Sequence, residues 1–436
     1  HELDYTRKLY LIENCIYGVD IQPIAIQITK LRFFISLVCD QKTNRSKKDN
    51  HGIRPLPNLE TKFVAADTLI GLPISDKDLF IESLIAPIEK EIEAAYHSHF
   101  TIQRRDQKLA LQKKIKVLRL KLAETLAGSL GAVNSKKAKH LADWDPFDPQ
   151  SRADFFDPHW MFGRSLKDGF DVVIGNPPYV RIQMLAQADP KQPARIKQQY
   201  VSASKGNYDL YVVFVERGLQ LLQPHGQLSY ILPHKFFNAQ YGEPLRKLLA
   251  DGKNLRQVVH FGDEQIFPGA TNYVCLLFLD KGGAEDCRWY RADNLPAWLA
   301  DGAATGTSID SGRFTSSEWN FVVGKGEDLF EKLQRMPMKL GDVASLFVGL
   351  QTDADDVFIV EVVSEKNGTL IARSKFTKQE HEFEAGHLKP FLKGSLNVRR
   401  YALTDLTKRL IFPYETRDGS SRLITESEYE RQFPKT

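Results

Sequence analysis

The chain has 436 residues and a formal net charge of +4, and 42% of its residues are hydrophobic while 26% are charged. This length predicts two or three globular domains, and the composition excludes an intrinsically disordered chain. So small a net charge neither requires nor excludes a nucleic-acid partner. Evidence for or against such a partner has to come from the local distribution of charge.

The four cysteines indicate the redox compartment. They form no Cys-x-x-Cys pair and lie in or near apolar runs, at Cys15, Cys39, Cys275 and Cys287. This pattern predicts buried, reduced thiols and argues against disulfides or a zinc site. The longest apolar stretches, such as residues 273–279, are far too short to span a membrane, and no signal peptide is visible. We expect a cytoplasmic protein with no membrane partner and no metal evident in these residues.

The first predicted elements are two short strands that both end in an acidic residue. Residues 16–21 read as a buried strand with Asp20 near its end, and Pro23 suits the first turn of a helix with a 3.6-residue apolar repeat. A second strand, residues 62–66, precedes Asp67. An acidic side chain at a strand end can bind both ribose hydroxyls of a nucleotide, although such a residue is at least as often a helix cap. Two in succession favour a cofactor site.

A helical insertion is predicted from about residue 76 to about residue 140. Two amphipathic helices are expected there, with a turn near residues 97–101. Residues 101–140 hold eleven Lys or Arg and two acidic residues. This segment is either a face that contacts phosphates or a solvated helical hairpin between sheet strands.

The tetrad Asn176-Pro177-Pro178-Tyr179 carries the most chemistry. It follows residues 170–174, an apolar run that predicts a buried parallel strand, and its prolines force the chain out of the sheet. A polar and aromatic loop at the carboxyl end of such a strand predicts a substrate site, although Asn-Pro also ends many ordinary strands. A carboxamide oxygen and a backbone carbonyl can accept both hydrogens of an exocyclic amino group, while the aromatic ring stacks on the ring that carries it.

The rest of the chain predicts a completed sheet and a different C-terminal unit. A helix is expected over residues 209–222 and a strand over 227–232. Residues 258–261 and 273–279 are expected to pair as antiparallel strands. Residues 284–335 read as a linker or subdomain, and residues from 336 onward as short strands and loops.

The tetrad resembles the Asn/Asp-Pro-Pro-aromatic motif of amino-methyltransferases that use S-adenosylmethionine. Over most of the chain the sequence is similar to the adenine-specific DNA methyltransferase region of type IIG restriction-modification enzymes and related phage-exclusion methylases. The segments that carry this resemblance are residues 17–21, 67–69, 176–179, 206–211, 340–344, 348–352 and 388–395. The resemblance implies a Rossmann-like α/β methyltransferase sheet with a helical insertion, followed by a mixed α+β target-recognition domain.

The resemblance also implies roles for individual residues. Asp20 would bind the ribose hydroxyls of the cofactor and Ile21 its adenine, while Asp67 would lie near the adenine amino group. The cofactor site would also include Thr68 and Asn176.

The catalytic residues implied by the resemblance are Asn176, Pro177, Pro178 and Tyr179. Asn176 and the Pro177 carbonyl would accept the amino hydrogens of a flipped adenine. Tyr179 and Phe267 would stack on its two faces, although Phe267 also reads as a core residue at a strand end.

One family segment is missing from these residues. The glycine-rich loop that contacts the methionine moiety belongs before Tyr17, where sixteen residues without glycine stand. We therefore expect an internal fragment, inactive alone, with an incomplete methyltransferase domain over 1–283 and a target-recognition domain over 336–436.

The expected function is site-specific methylation of the N6 amino group of adenine in double-stranded DNA. Candidates for DNA contacts in the recognition domain are Lys389, Lys393, Arg399 and Arg400. Two alternatives stay open: methylation of another planar nitrogen, on protein glutamine or RNA, and a DNA-specificity module without catalysis. The C-terminal unit argues against the first, and the intact tetrad against the second.

Overall fold

The computed structural model describes residues 2–71, 79–127, 132–262, 264–267, 273–292, 294–302, 304–321, 329, 332–333, 335–345, 349–350, 352, 354–392, 397–399, 402–403, 407–417 and 420–436. The chain divides into two compact units, His1–Phe330 and Glu331–Thr436. Each unit is described by itself.

The N-terminal unit begins with a parallel pair of strands flanked by helices. Its elements are α1 (Glu2–Asn14), β1 (Gly18–Asp20), α2 (Pro23–Cys39) and β2 (Phe63–Ala65). β1 and β2 pair in parallel, so both predicted strands are confirmed, and Pro23 occupies the first turn of α2 as predicted. The apolar repeat of α2 faces solvent, since Ile24, Ile28, Leu31 and Ile35 are exposed, whereas Ile26 and Leu37 are buried.

The expectation that all four thiols are buried is wrong for two of them. Cys275 and Cys287 lie on central strands and are buried, but Cys15 and Cys39 are exposed. Cys15 lies in the turn after α1, and Cys39 is the last residue of α2. Both positions are at element ends, where fewer neighbouring atoms cover a side chain.

The insertion contains the two predicted helices, α3 (Leu79–Thr101) and α4 (Arg105–Ala127), and a third, α5 (Ala132–Asp143), that was not predicted. The turn between α3 and α4 falls at residues 102–104, a few residues later than predicted. Ile88, Ile115 and Leu118 pack with Phe155 and Val64, so these helices share a core with β2. A short helix, α6 (Pro158–Phe162), follows, and the Asp157 side chain caps it by accepting a hydrogen bond from the Trp160 amide at 3.2 Å.

A six-stranded mixed sheet forms the centre of this unit. Its strands are β3 (Phe170–Gly175), β4 (Leu222–Pro233), β5 (Leu255–His260), β6 (Val274–Asp280), β7 (Asp286–Arg291) and β8 (Thr305–Asp310). The spatial order is β3-β4-β6-β5-β7-β8. β3 and β4 are parallel, and β5 and β6 pair antiparallel as predicted. β7 and β8 extend this sheet, which the prediction of a linker or subdomain over 284–335 did not anticipate.

Helices connect and cover these strands. They are α7 (Ile182–Ala188), α8 (Gln192–Gln199), α9 (Tyr211–Gln220), α10 (Glu243–Asp251) and α11 (Leu295–Asp301). α9 confirms the helix predicted over 209–222, and its Val212, Val213 and Val215 are fully buried. A Cβ at Gly218 of α9 would lie 2.3 Å from the Leu228 side chain on β4. Glycine at this position therefore allows the helix to approach the sheet.

The prediction that the strand before the tetrad is buried is wrong for two residues. Val172 is 60% exposed and Ile174 is 80% exposed. Within the described residues β3 pairs with β4 alone, so it has a neighbouring strand on one side only. An apolar run predicts a strand, but burial depends on which neighbours flank that strand.

The C-terminal unit is built on a five-stranded sheet, in agreement with the prediction of short strands and loops without βαβ units. Its strands are β9 (Ile359–Lys366), β10 (Thr369–Ser374), β11 (Glu380–Glu384), β12 (Leu388–Pro390) and β15 (Lys408–Ile411), all paired antiparallel in the order β11-β10-β9-β15-β12. The other elements are β13 (Val398–Arg399), β14 (Ala402–Leu403), β16 (Tyr414–Arg417), β17 (Ser420–Leu423), α12 (Leu340–Val343), α13 (Asp355–Phe358) and α14 (Glu426–Gln432). Val360, Leu370 and Phe383 form its core.

The α/β class is therefore confirmed, with a helical insertion and a separate strand-rich unit. In the part of the chain that the structure describes, no helix is long and apolar enough to cross a membrane. The assignment of residues 336–436 to target recognition stays a prediction.

Candidate active site

The tetrad lies where β3 leaves the sheet, at its carboxyl end. Gly175 is the last residue of β3 and lies opposite Tyr230 of β4. Pro177 is buried, while Asn176 and Pro178 are exposed. Proline cannot donate a backbone hydrogen bond to a neighbouring strand, so the chain turns out of the sheet here. The carboxamide of Asn176 is thereby presented at the edge of the sheet where α/β proteins bind ligands.

Residues 208–210 are hydrogen-bonded to the chain that directly follows the tetrad. The Leu210 amide donates a hydrogen bond to the Val180 carbonyl at 2.7 Å, and the Ile182 amide donates to the Tyr208 carbonyl at 3.0 Å. These bonds join the chain after Tyr179 to residues 206–211, which the sequence had also marked as part of the site. The structure therefore brings two of the predicted segments into direct contact.

Tyr179 is half-buried and its phenol is anchored. Its hydroxyl donates a hydrogen bond to the Ile231 carbonyl at 3.1 Å, and its ring meets the Tyr211 ring edge to face, with the centroids 6.5 Å apart. Burial raises the pKa of Tyr179 to about 12. The phenol is therefore neutral at physiological pH, so its ring supplies a stacking surface and its hydroxyl does not act as a base.

Phe267 joins Tyr179 in one apolar cluster. The cluster contains Val259 and Phe261 of the neighbouring strand region, and Phe267, Tyr179 and Ile231 pack against it. Phe267 is only partly buried, so part of its side chain is in the core and part is accessible at the surface. Phe267 and Tyr179 therefore pack against the same buried cluster, and the role of Phe267 as the second stacking ring remains a prediction.

A chain of hydrogen bonds behind Tyr179 was missed by the sequence reasoning. The Tyr241 hydroxyl donates to the Asp209 carboxylate at 3.0 Å and lies 2.9 Å from the Tyr211 hydroxyl. Burial raises the pKa of both tyrosines above the ordinary value. These hydrogen bonds fix the Tyr211 ring, which contacts the Tyr179 ring edge to face. No local pattern marked Tyr241, because it reaches Asp209 only through the folded chain.

Asp20 and Asp67 lie at the same edge of the parallel pair β1 and β2. The Ala66 amide donates to the Asp20 carbonyl at 2.9 Å, which places the residue before Asp67 next to Asp20. Asp20 is exposed, and its Oδ1 accepts a hydrogen bond from the Gln22 amide at 2.8 Å. Gln22 itself is the N-cap residue of α2, so this bond closes a turn before the helix, and the alternative of Asp20 as a helix cap is wrong. Ile21 beside it is 44% exposed. The role of Asp20 as a cofactor ligand stays a prediction.

Asp67 and Thr68 lie in a loop that α9 holds in place. Burial raises the pKa of the Asp67 carboxyl, and its Oδ1 accepts a hydrogen bond from the Leu69 amide at 3.1 Å. Arg217 of α9 donates from Nε to the Thr68 carbonyl and from Nη2 to the Phe156 carbonyl, both at 2.8 Å. The Tyr200 hydroxyl donates to the Leu69 carbonyl at 2.6 Å. Arg217 and Tyr200 were not predicted, because Arg217 is 149 residues from Thr68 in the chain and Tyr200 is 131 residues from Leu69.

These residues fit the adenosine portion of S-adenosylmethionine. A nucleoside offers hydroxyl donors and a flat apolar ring, and the edge offers the Asp20 and Asp67 carboxylates beside the exposed Ile21 side chain. Among the described residues, no group of three or more His, Cys, Asp or Glu is arranged to hold a metal ion.

The four DNA-contact candidates of the C-terminal unit are described only in part. Lys389 is exposed on β12, opposite Leu410 of β15. The backbone of Arg399 lies in β13, while Lys393 and Arg400 fall outside the described residues. Their roles therefore stay predictions.

Comparisons with known proteins place these features in a family. The family profile described as Eco57I restriction-modification methylase matches residues 14–267. The type II restriction enzyme and methyltransferase RM.Eco57I of Escherichia coli is 29% identical over 275 residues, which cover 61% of this chain and 27% of the relative. The type II methyltransferase M.XhoI of Xanthomonas vasicola is 37% identical over 221 residues, covering 44% of this chain and 38% of the relative.

A solved structure of the type IIG restriction endonuclease BpuSI matches with a TM-score of 0.31 and 14% identity, covering 80% of this chain and 44% of that one. The chain thus spans between about a quarter and under half of the length of these proteins. The family profile covers more than half of the chain and includes both cofactor segments, the tetrad and Phe267. This chain belongs to the Eco57I restriction-modification methylase family.

Proposed function

We propose that this chain carries the methyl-transfer site of a DNA methyltransferase that acts on the N6 amino group of adenine within a restriction-modification system. The observation that carries the proposal is the tetrad itself. An exposed carboxamide at the end of β3 is followed by a neutral, anchored tyrosine ring, and Phe267 packs against the same apolar cluster as that ring. This arrangement matches a planar ring that carries an amino group. The similarity to a type II restriction enzyme and methyltransferase and to a type II methyltransferase adds support for DNA as the substrate.

Methyl transfer to such a nitrogen requires a more reactive lone pair. The Asn176 Oδ1 and the Pro177 carbonyl accept the two amino hydrogens, which shifts the nitrogen toward tetrahedral geometry and localises its lone pair. S-adenosylmethionine supplies the electrophilic methyl group. As the nitrogen–methyl bond forms, the sulfur–methyl bond would break and a neutral thioether would leave. The methylated nitrogen is then positively charged and acidic, so it releases one proton to solvent, while the Asn176 Oδ1 and the Pro177 carbonyl only accept hydrogen bonds.

The target base has to leave the duplex before it can reach Asn176. Extrusion costs a few kcal/mol, and stacking on an aromatic side chain contributes about 1–3 kcal/mol per base. Tyr179 and Phe267 together would therefore offset most of the cost. The hydrogen bond from Tyr179 to the Ile231 carbonyl fixes one ring before the base arrives, so little ordering cost remains at that moment.

The test replaces Asn176 in the full-length protein. We expect Asn176→Ala to abolish methyl transfer while specific DNA binding stays within a few-fold, because Asn176 acts on the amino group and not on the duplex. Asn14→Ala, an exposed asparagine on α1, is the matched control and should behave like the wild type.

Mass spectrometry of the nucleosides separates the alternatives. N6-methyladenine in duplex DNA from the wild type supports the proposal. Methylation of cytosine, RNA or protein glutamine would redirect the chemistry to another planar nitrogen. Full single-turnover rates in Asn176→Ala would refute the assigned mechanism.

A further inference from the structure

The segment that follows the tetrad forms a compact helical cap. Residues 180–205, here called the basic cap, contain α7 and α8. A hydrogen bond from the Ile182 amide to the Tyr208 carbonyl joins the start of the cap to the chain just beyond its end. Ile196 of α8 is fully buried and Tyr200 nearly so. The cap is therefore anchored in the core of the N-terminal unit and begins one residue after Tyr179.

The basic cap carries an excess of positive charge directly after the tetrad. It contains Arg181, Lys191, Arg195, Lys197 and Lys205, with Asp189 as its one acidic residue. Its formal charge of +4 equals that of the whole chain, so the other residues sum to zero. A charge density of this kind attracts a polyanion.

Most of this charge is available to a partner. Arg181, Lys191, Arg195 and Lys197 are exposed, and their side chains make no ion pair or hydrogen bond with any residue that the structure describes. Lys205 instead pairs with Glu243. The Asp189 carboxylate accepts a hydrogen bond from the Lys191 amide at 3.0 Å and helps to start α8.

The helical insertion, also basic by sequence, is partly neutralised. On α4, Lys108 pairs with Glu60 at 2.7 Å, Lys116 lies 3.7 Å from Asp145, and Arg119 is buried against the Trp144 ring. Lys108 also places the beginning of α4 beside residue 60, before the amino end of β2. The basic cap, in contrast, follows Tyr179 directly in the chain, so its charges lie closer along the chain to the tetrad than those of α4 do.

Spacing within the cap fits a phosphate backbone. Lys191 is the residue immediately before α8, its backbone is already helical, and Arg195 follows four residues later on the helix; side chains in this relation have Cβ atoms about 5–6 Å apart. Arg and Lys at this spacing can reach neighbouring phosphates of one strand. Phosphate contacts fix the register of a protein on DNA without reading its sequence.

We infer that the basic cap binds the DNA backbone next to the extruded nucleotide, with Lys191 and Arg195 on phosphates. This inference rests on the proposed function, because the backbone of a base held at Asn176 has to pass over the chain that leaves the tetrad. The cap holds the duplex in register while the recognition unit reads its sequence.

The experiment neutralises the pair in the full-length protein and measures DNA affinity against salt. Each lost phosphate contact lowers the slope of log Kobs against log[salt] by about 0.9. For Lys191→Gln with Arg195→Gln, raising the salt from about 50 to about 200 mM should therefore weaken wild-type binding about ten-fold more than variant binding. The loss of affinity should be equal for cognate and non-cognate duplexes, and single-turnover methylation at saturating DNA should stay within about three-fold.

The control carries the same change of charge elsewhere. Lys113→Gln with Lys114→Gln, both exposed on α4, should leave the salt slope unchanged. Equal changes in the two double variants would mean a general effect of net charge and would overturn the inference. If Lys191→Gln with Arg195→Gln left the slope of log Kobs against log[salt] unchanged, the inference would also be overturned. The same holds if this variant lost affinity for a protein while its DNA binding kept the wild-type slope. A wild-type protein that binds DNA through the cap but does not methylate adenine would refute the proposed function alone.

Discussion

Arg217 connects the predicted cofactor loop to α9, and its replacement gives a quantitative test of that connection. Arg217→Met keeps the aliphatic stem but removes the hydrogen bonds to the Thr68 and Phe156 carbonyls. Hydrogen bonds from a charged donor contribute about 1.5–3 kcal/mol each, and part of this is regained because a buried guanidinium no longer has to be desolvated. We expect the free energy of unfolding to fall by about 2–4 kcal/mol.

The expected readouts are thermal and kinetic. A change of 1 kcal/mol shifts Tm by about 2 °C in a large domain, so the Tm of the N-terminal unit should fall by about 4–8 °C. Because Thr68 loses its anchor, the KM for S-adenosylmethionine should rise more than kcat falls. Arg256→Met is the control, since Arg256 makes a partly exposed ion pair with Asp280 at 3.3 Å that contributes about 1 kcal/mol or less. Equal Tm values for Arg217→Met and Arg256→Met would refute the reasoning.

Three further predictions concern the same unit. Burial raises the pKa of Asp67, so its contribution to stability is full at low pH and falls as the pH rises through the folded-state pKa. Asp67→Asn should therefore raise Tm at pH 7 and not below about pH 4, and a pH series of melting curves without that divergence would contradict the assignment. Tyr179→Phe keeps the ring and loses a hydroxyl with a pKa of about 12, so the pH profile of methylation between pH values of about 6 and 9 should keep its shape. Tyr179→Ala removes the ring and should weaken binding of the flipped base by about 1–3 kcal/mol. Gly218→Ala puts a Cβ 2.3 Å from the Leu228 side chain and should cost about 1–3 kcal/mol in urea unfolding, while Gly341→Ala, with open space around it, should change little.

The sequence predicted those features that depend on neighbouring residues. Pro23 after a strand marked the start of α2, and the prolines of the tetrad marked the end of β3. Such signals are local, because backbone restrictions and side-chain periodicity act over a few residues. The placement of Asn176 at a strand end and of Asp20 beside the loop of Asp67 followed from them.

Contacts between distant parts of the chain were beyond such signals. Arg217 and Thr68 are 149 residues apart, and Tyr241 and Asp209 are 32 residues apart. The strands β7 and β8 also escaped prediction, since polar residues alternate there on a half-exposed edge of the sheet. Which side chain meets which carbonyl is decided by packing of whole elements, and a single sequence carries no record of it.

The close approach of α9 to β4 at Gly218 fixes more than the helix itself. Arg217 is the preceding residue on the same turn, and its guanidinium reaches the Thr68 carbonyl. Because a Cβ at position 218 would lie 2.3 Å from the Leu228 side chain, the depth of α9 against the sheet is set by this one residue. That depth decides where the guanidinium of Arg217 lies, so the absence of a side chain at position 218 determines how a loop 149 residues before Arg217 is held.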